Sequence, residues 1–435
     1  LAKAGLVMVP LKPRMTAPEV DYIVEHSDAR ALLLDDALAG IADHAAGPLD
    51  LVLSIGGGTT LGPAYDDALA AASDADPHVE TDEHDPFCIA YTSGTTGRPK
   101  GVVISHRSRS LTFYMSALEW GLGVGRVSIA VAPMYHGAGF AFGYAPVYCG
   151  GTVAMLRSWD PEAFLRMVGE VGAQSVFLVP THAQLIRNLT ETPGSHYDLS
   201  SLDTLYFNAA ALPTPLKSWV LEAFPGVGVH ELYGSTEAGI ISNLRPADAA
   251  RKAGSVGHPW FMTEVRVVDD EGRPVAPGEP GELFSRSPFL MNGYLKDDEA
   301  TAACTTEDGF LSCGDIVTVD EEGFIRIVDR KKDMIISGGV NVYPRDVEEA
   351  VLTHPAVREV AVIGVPHDTW GESVVAYVVT APGAALSTQE LDAHLRPLLA
   401  AYKIPRDVVI IEALPRNASG KVQKRDLKAE YVAAE

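Results

Sequence analysis

Tyr91-Thr92-Ser93-Gly94-Thr95-Thr96-Gly97-Arg98-Pro99-Lys100-Gly101 packs hydroxyls, glycines and a lysine into one loop between two apolar runs. Upstream stands Phe87-Cys88-Ile89-Ala90-Tyr91 and downstream Val102-Val103-Ile104, both β-prone and bounded by Gly and Pro, so the loop is expected to join two strands near a sheet end. Glycines permit positive φ and close backbone approach, so successive N–H groups can converge on an anion. Thr92, Ser93, Thr95 and Thr96 add hydroxyl donors, and Lys100 adds charge. The spacing fails the Walker pattern G-x-x-x-x-G-K-[ST], because Pro99 replaces the second glycine and Gly101 follows the lysine. Taken alone, such a loop is more often a plain turn than a nucleotide site, so the rest of the chain has to decide.

At 435 residues the chain exceeds one ordinary core, and at least two domains are expected. With 47% hydrophobic and 21% charged residues it has a globular composition, and no apolar run reaches the roughly 18 residues of a membrane span. Thirty-four basic against 57 acidic residues give a net charge of −23, which opposes binding to a nucleic-acid backbone or an anionic membrane. Cys88, Cys149, Cys304 and Cys313 lack C-x-x-C spacing, which argues against a zinc or disulfide framework and fits a reducing, cytoplasmic location. The opening Leu1-Ala2-Lys3-Ala4-Gly5 carries no initiating methionine or signal segment, so a truncated start is expected, with residues 6–10 as a buried strand.

From residue 16 to about 230, short apolar strands alternate with longer amphipathic segments. Candidates include 31–34, 51–53, 128–132, 152–156, 175–179, 204–208 and 228–232, with Asp160-Pro161-Glu162 as a helix start. That rhythm predicts βαβ units and a largely parallel sheet, with the loops 133–139, 209–213 and 234–239 on its ligand-binding edge. After Pro259 short alternating strands predict a β-rich subdomain. The charge run Asp329-Arg330-Lys331-Lys332-Asp333 marks a linker, and 334–435 reads as a compact α+β unit. The expected division is therefore 1–330, a hinge at 331–333, and 334–435. In fold class the chain is α/β, a large multi-subdomain first domain followed by a small α+β domain.

Five segments in order carry a resemblance: 91–103, Tyr233-Gly234-Ser235-Thr236-Glu237, Gly309-Phe310-Leu311-Ser312-Cys313-Gly314-Asp315, 329–344 and 415–425. Together they resemble the core motifs of the adenylate-forming superfamily, which includes acyl-CoA synthetases, firefly-type luciferases and peptide-synthetase adenylation domains. The resemblance covers essentially the whole chain and implies a mobile small domain. It also implies activation of a carboxylic acid by ATP to an acyl-adenylate and pyrophosphate, then transfer to a thiol, with ATP, Mg²⁺ and CoA as cofactors.

Residue by residue, the resemblance gives Thr92, Ser93, Gly94, Thr95, Thr96, Gly97 and Lys100 to the β- and γ-phosphates, where donors already in place would meet growing charge. Glu237 becomes a magnesium ligand, a hard oxygen for a hard cation; its bland alternative is a charge at a helix start. Thr236 touches the α-phosphate and counts as catalytic. Tyr233, with Gly234 and Ser235, and the backbone of Asn208, Ala209 and Ala210 border the adenine. Asp315 accepts the ribose hydroxyls, and Arg330 lies beside ribose and phosphate. Cys313 stands where the superfamily prefers threonine. Lys332 matches the hinge, Gly338 and Gly339 the passage for the pantetheine of CoA, and Lys421 the catalytic lysine that bridges substrate carboxylate and α-phosphate. His136, in Met134-Tyr135-His136-Gly137, matches the gate beside the carboxylate; a packed loop histidine is its alternative.

Gly137, Ala138, Gly139, Phe140, Ala238 and Gly239 suit an apolar acyl group, and 133–143 contains no charge to pair with an α-ammonium or a second carboxylate. Fatty or other apolar acids are expected, with aryl acids as the alternative. The chain ends soon after Lys421, so CoA is the expected acceptor; an acyl-AMP ligase loading a carrier protein is the second reading and a non-catalytic nucleotide-binding paralogue the third.

Overall fold

The computed structural model describes residues 1–47, 49–92, 98–210, 212–416 and 422–434. Its contacts divide the chain into two units, Leu1–Glu264 with Ser285–Leu311, and Val265–Phe284 with Ser312–Glu435.

The first unit is built on a seven-stranded sheet in the order His258–Pro259, Gly239–Leu244, Gly228–Ser235, Thr204–Phe207, Ser175–Leu178, Val127–Ala130, Thr152–Met155. The five strands from Gly228–Ser235 to Thr152–Met155 run parallel; the other two are antiparallel additions. Parallel strands are covered on both faces, which is why Ser175-Val176-Phe177-Leu178 is buried throughout. One helix between them, Pro161–Val171, begins on a side-chain cap: Asp160 Oδ1 accepts from Ala163 N at 2.7 Å, ahead of Pro161 in the first turn. One core gathers Phe164, Leu165, Val176, Leu205 and Val220. Another gathers Trp120, Phe142, Phe177, Tyr206, Leu232 and Trp260.

Pro86–Thr92 and Lys100–Ser105 form an antiparallel pair extended by Gly293–Tyr294, so the opening loop does join two strands. Two expectations are corrected. Residues 6–10 form no strand: only Met8 bridges to Cys88, and Leu6 and Val7 are exposed, so a single bridge replaces the buried strand. Ala31–Asp35 and Leu51–Ile55 pair in parallel with each other in a separate two-stranded sheet; their apolar character specified strands without specifying which sheet they join. Among the described residues no helix is long and apolar enough to cross a membrane.

The second unit holds a four-stranded sheet, Glu264–Val268, Gly281–Arg286, Leu311–Val319 and Ile325–Arg330. Beyond the turn Lys331–Asp333, a five-stranded sheet pairs Gly371–Thr380 with Val357–His367, Ile335–Ser337 and Asp407–Ile410. Helices Pro344–Val351 and Thr388–Leu395 pack on it through Val347, Val351, Leu391 and Leu395.

Candidate active site

Thr92 closes one strand and Lys100 opens the next, and the two face each other in register. Ser93, Gly94, Thr95, Thr96 and Gly97 lie outside the described residues. Lys100 Nζ stands 3.7 Å from Asp297 Oδ2 and 4.8 Å from the centre of the Tyr294 ring. The Tyr294 hydroxyl in turn donates to Glu237 Oε1 at 3.2 Å. Lys100 and Glu237, read independently as phosphate and metal residues, are therefore held on the same tyrosine.

Glu237 sits in the turn 236–238 between the antiparallel strands Gly228–Ser235 and Gly239–Leu244. The turn is tight because two glycines allow it. A Cβ on Gly234 would lie 2.0 Å from Gly239 O, and Gly239 has φ +68. Ser235 Oγ accepts from Ala238 N at 2.9 Å, and Glu237 O accepts from Met291 N at 2.7 Å. Among the described residues no three His, Cys, Asp or Glu side chains gather into a metal cage. One half-buried carboxylate suits Mg²⁺, which usually arrives with substrate phosphates and keeps several waters.

The strand order creates the edge that the other residues share. Val127–Ala130 lies beside Ser175–Leu178, and the connection from the first runs to Thr152–Met155 on one side while that from the second runs to Thr204–Phe207 on the other. Such a switch point opens a crevice at the carboxyl ends of the strands. His136 follows that strand as the N-cap residue of the helix Gly137–Tyr148. Its neighbour Gly137 is beside the turn: a Cβ there would be 3.8 Å from Thr236 Oγ1. Asn208 follows the Thr204–Phe207 strand, and its Oδ1 accepts from Ala209 N. Ala209 holds φ +73, a strained value for a residue with a side chain, and Ala209 and Ala210 are exposed. Tyr233 is 7% exposed, set in its strand opposite Ser242.

Below this edge the interior is aromatic. Trp120 stacks on Trp260 at 5.6 Å and on Tyr206 at 5.1 Å, and Phe142 meets Phe177 at 4.7 Å. Ala138, two residues past His136, packs against this cluster. Two buried histidines border the cores. Burial holds the imidazoles of His230 and His182 down at about 4, and His182 stacks on Trp159 at 4.1 Å.

In the second unit Asp315 and Arg330 are cross-strand partners, with Arg330 Nε donating to Asp315 Oδ1 at 3.1 Å. Asp315 is 6% exposed. The preceding Gly314 has φ +73, and Cys313 is partly buried without a disulfide. Lys332 is exposed in the turn Lys331–Asp333. Gly338 and Gly339, with φ +61 and +77, make the two-residue turn of a hairpin between Ile335–Ser337 and Val340–Val342. A Cβ on Gly338 would lie 2.9 Å from Trp370 Cε3. Lys421 lies outside the described residues.

Residues 1–295 match the AMP-binding enzyme family, and residues 346–421 match the AMP-binding enzyme C-terminal domain. The chain belongs to the AMP-binding enzyme family. It is 38% identical over 433 residues to a feruloyl-CoA synthase from Amycolatopsis sp, covering 99% of this chain and 84% of that protein. It is 34% identical to the fatty acid–[acyl-carrier-protein] ligase ScoC of Streptomyces coeruleorubidus, covering 99% and 83%. The amide bond synthetase McbA of Marinactinospora thermotolerans superposes with a TM-score of 0.89 at 31% identity, covering 99% of this chain and 85% of that one. The chain is accordingly an AMP-forming acid–thiol ligase with the large and small domains of adenylate-forming enzymes.

For this AMP-binding enzyme, sequence reading passed over Tyr294 and Asp297. Both lie nearly two hundred residues beyond Lys100 in a segment with no glycine-rich signature, and only pairing of Tyr294 with Val102 brings them to the loop.

Proposed function

We propose that this chain condenses an apolar carboxylic acid with ATP to give an acyl-adenylate and pyrophosphate, then passes the acyl group to CoA with release of AMP. The observation that carries this reading is the join of Lys100 and Glu237 through Tyr294, because a triphosphate with its cation needs a positive side chain and a single carboxylate side by side. Bound Mg²⁺ would neutralise charge on the departing pyrophosphate, with Glu237 as its protein ligand. Thr92 and Lys100 hold the β- and γ-phosphates; Thr236 and His136 border the reacting carboxylate and α-phosphate. Asp315 accepts from the ribose hydroxyls and Arg330 orients it. Lys421 stabilises the adenylation transition state, and rotation at Lys332 exchanges it for the Gly338-Gly339 turn, which admits the thiol.

The acid is read from the wall behind His136. Small residues there lead to Trp120, Phe142, Phe177 and Tyr206, an aromatic and apolar interior. Such a wall suits an apolar acid, fatty or aryl. The likeness to a feruloyl-CoA synthase favours the aryl acid of the two. The likeness to ScoC keeps a carrier protein as the second acceptor. Purified protein incubated with ATP, Mg²⁺, CoA and a panel of cinnamic, benzoic, short-chain and long-chain acids should release AMP and thioester fastest with the aryl members. AMP release without thioester would move the acceptor to a carrier protein; ATP binding without turnover on any acid would overturn the reading.

A further inference from the structure

The chain on either side of residues 93–97 is held by a helix that none of the motifs includes. Ala17–His26 begins with a reciprocal cap, Thr16 N donating to Glu19 Oε2 at 2.7 Å, and carries Pro18 in its first turn. Its Ile23 is 1% exposed and packs with Ile89 and Tyr91 from the strand that enters the loop. One turn apart on this helix, Tyr22 and His26 stack at 5.2 Å. Each grips a different flank. His26 Nδ1 is 2.7 Å from Tyr91 Oη, one residue before Thr92. The Tyr22 hydroxyl donates to Pro99 O at 3.2 Å, one residue before Lys100, and Arg98 lies 5.5 Å from the centre of the Tyr22 ring. Burial pushes the Tyr91 hydroxyl well above its ordinary range, so it stays protonated and keeps its bond to the imidazole.

From this geometry we propose that Tyr22 and His26 are positioning residues for nucleotide binding. Through Pro99 and Tyr91 they fix the distance between the two ends of the 92–100 loop and so set its grip on the β- and γ-phosphates of ATP. Neither side chain touches the ligand; each acts on a loop flank. The inference rests on assigning that loop to the phosphates, and it makes a demand which general stabilisation of the fold does not make. Loss of the clamp must weaken ATP while sparing AMP, which lacks those phosphates.

The test compares Tyr22→Phe, which deletes one hydroxyl and keeps the ring, and His26→Phe, with His26→Gln retaining a hydrogen-bonding side chain. Dissociation constants for ATP and AMP are measured by calorimetry on the full chain, with melting temperature alongside. Tyr22→Phe is expected to weaken ATP about fivefold or more, the effect of one lost hydrogen bond, and His26→Phe similarly. AMP affinity should stay within about twofold, and His26→Gln should recover part of the loss. Equal weakening of ATP and AMP, or unchanged ATP affinity in both variants, overturns the clamp while leaving the ligase reading intact. Failure of the unmodified chain to bind ATP more tightly than AMP overturns the phosphate assignment itself, and the clamp with it.

Discussion

The Tyr294 hydroxyl donates to Glu237 Oε1 at 3.2 Å while Lys100 Nζ lies over the same ring at 4.8 Å. One side chain thus contacts both the acidic and the basic member of the proposed phosphate site. Tyr294→Phe keeps the ring under Lys100 and removes the bond to Glu237. It should raise the Mg²⁺ concentration needed for half-maximal ATP–pyrophosphate exchange about five- to tenfold, by loss of one bond to a charged acceptor. Glu237→Gln should abolish exchange at low Mg²⁺ with partial recovery at high Mg²⁺. Unaltered Mg²⁺ dependence in both would remove Glu237 from the metal role.

Gly234→Ala is a test of the turn that presents Thr236 and Glu237. Its Cβ would stand 2.0 Å from Gly239 O, a backbone atom that cannot rotate away. The strands must separate, at a cost of about 1–3 kcal/mol or more. Adenylation should fall by at least tenfold and the urea midpoint should drop; wild-type values for both would contradict the packing.

Buried Asp315 and half-buried Arg330 form a cross-strand pair, with Arg330 donating at 3.1 Å. Asp315→Ala should weaken ATP roughly 10- to 100-fold, since bonds to an ionised acceptor are worth about 1.5–3 kcal/mol. Wild-type protein should discriminate against 2′- and 3′-deoxy-ATP, and the variant should not. If the variant keeps that discrimination, the ribose contact lies elsewhere.

Lys421→Ala should abolish ATP-dependent adenylate formation, by about a hundredfold or more, while largely sparing thioester formation from supplied acyl-adenylate. Lys332→Pro, which restricts φ at the turn, should slow thiolation more than adenylation. Rapid-quench measurement of each half-reaction separates the two roles; equal loss of both steps in Lys421→Ala would refute its assignment.

The buried histidines make stability depend on acid. His182 and His230 are held near 4, against 6.5 for a free imidazole. Below about pH 6.5 the unfolded chain takes up protons that the folded chain refuses, so unfolding gains as pH falls toward 4 and levels off beneath it. The full effect is up to about 3 kcal/mol per histidine at about 1.4 kcal/mol per pKa unit. Urea unfolding of His182→Gln between pH 7 and 4.5 should show a shallower decline than wild type. Parallel pH curves would mean that this imidazole takes up protons as readily in the fold as in the unfolded chain.

Much of this protein was legible along the chain because its information is local. Glycine, proline and hydroxyl spacing specified the loop 91–101 between two strands. Apolar runs specified the strands of the parallel sheet, and Asp160-Pro161 specified a helix start. Ordered motifs specified the family. Asp315 and Arg330 could be named separately, although their contact depends on the register of two strands. The tertiary structure alone decided what is assembled between distant segments. It placed Val127–Ala130 at the switch point, removed residues 6–10 from the sheet, and brought Tyr294 to Lys100 and Glu237. It also put Tyr22 and His26 on the two flanks of the loop. Sequence periodicity reports which face of an element is apolar, whereas which elements meet depends on packing and hydrogen bonding between segments far apart along the chain.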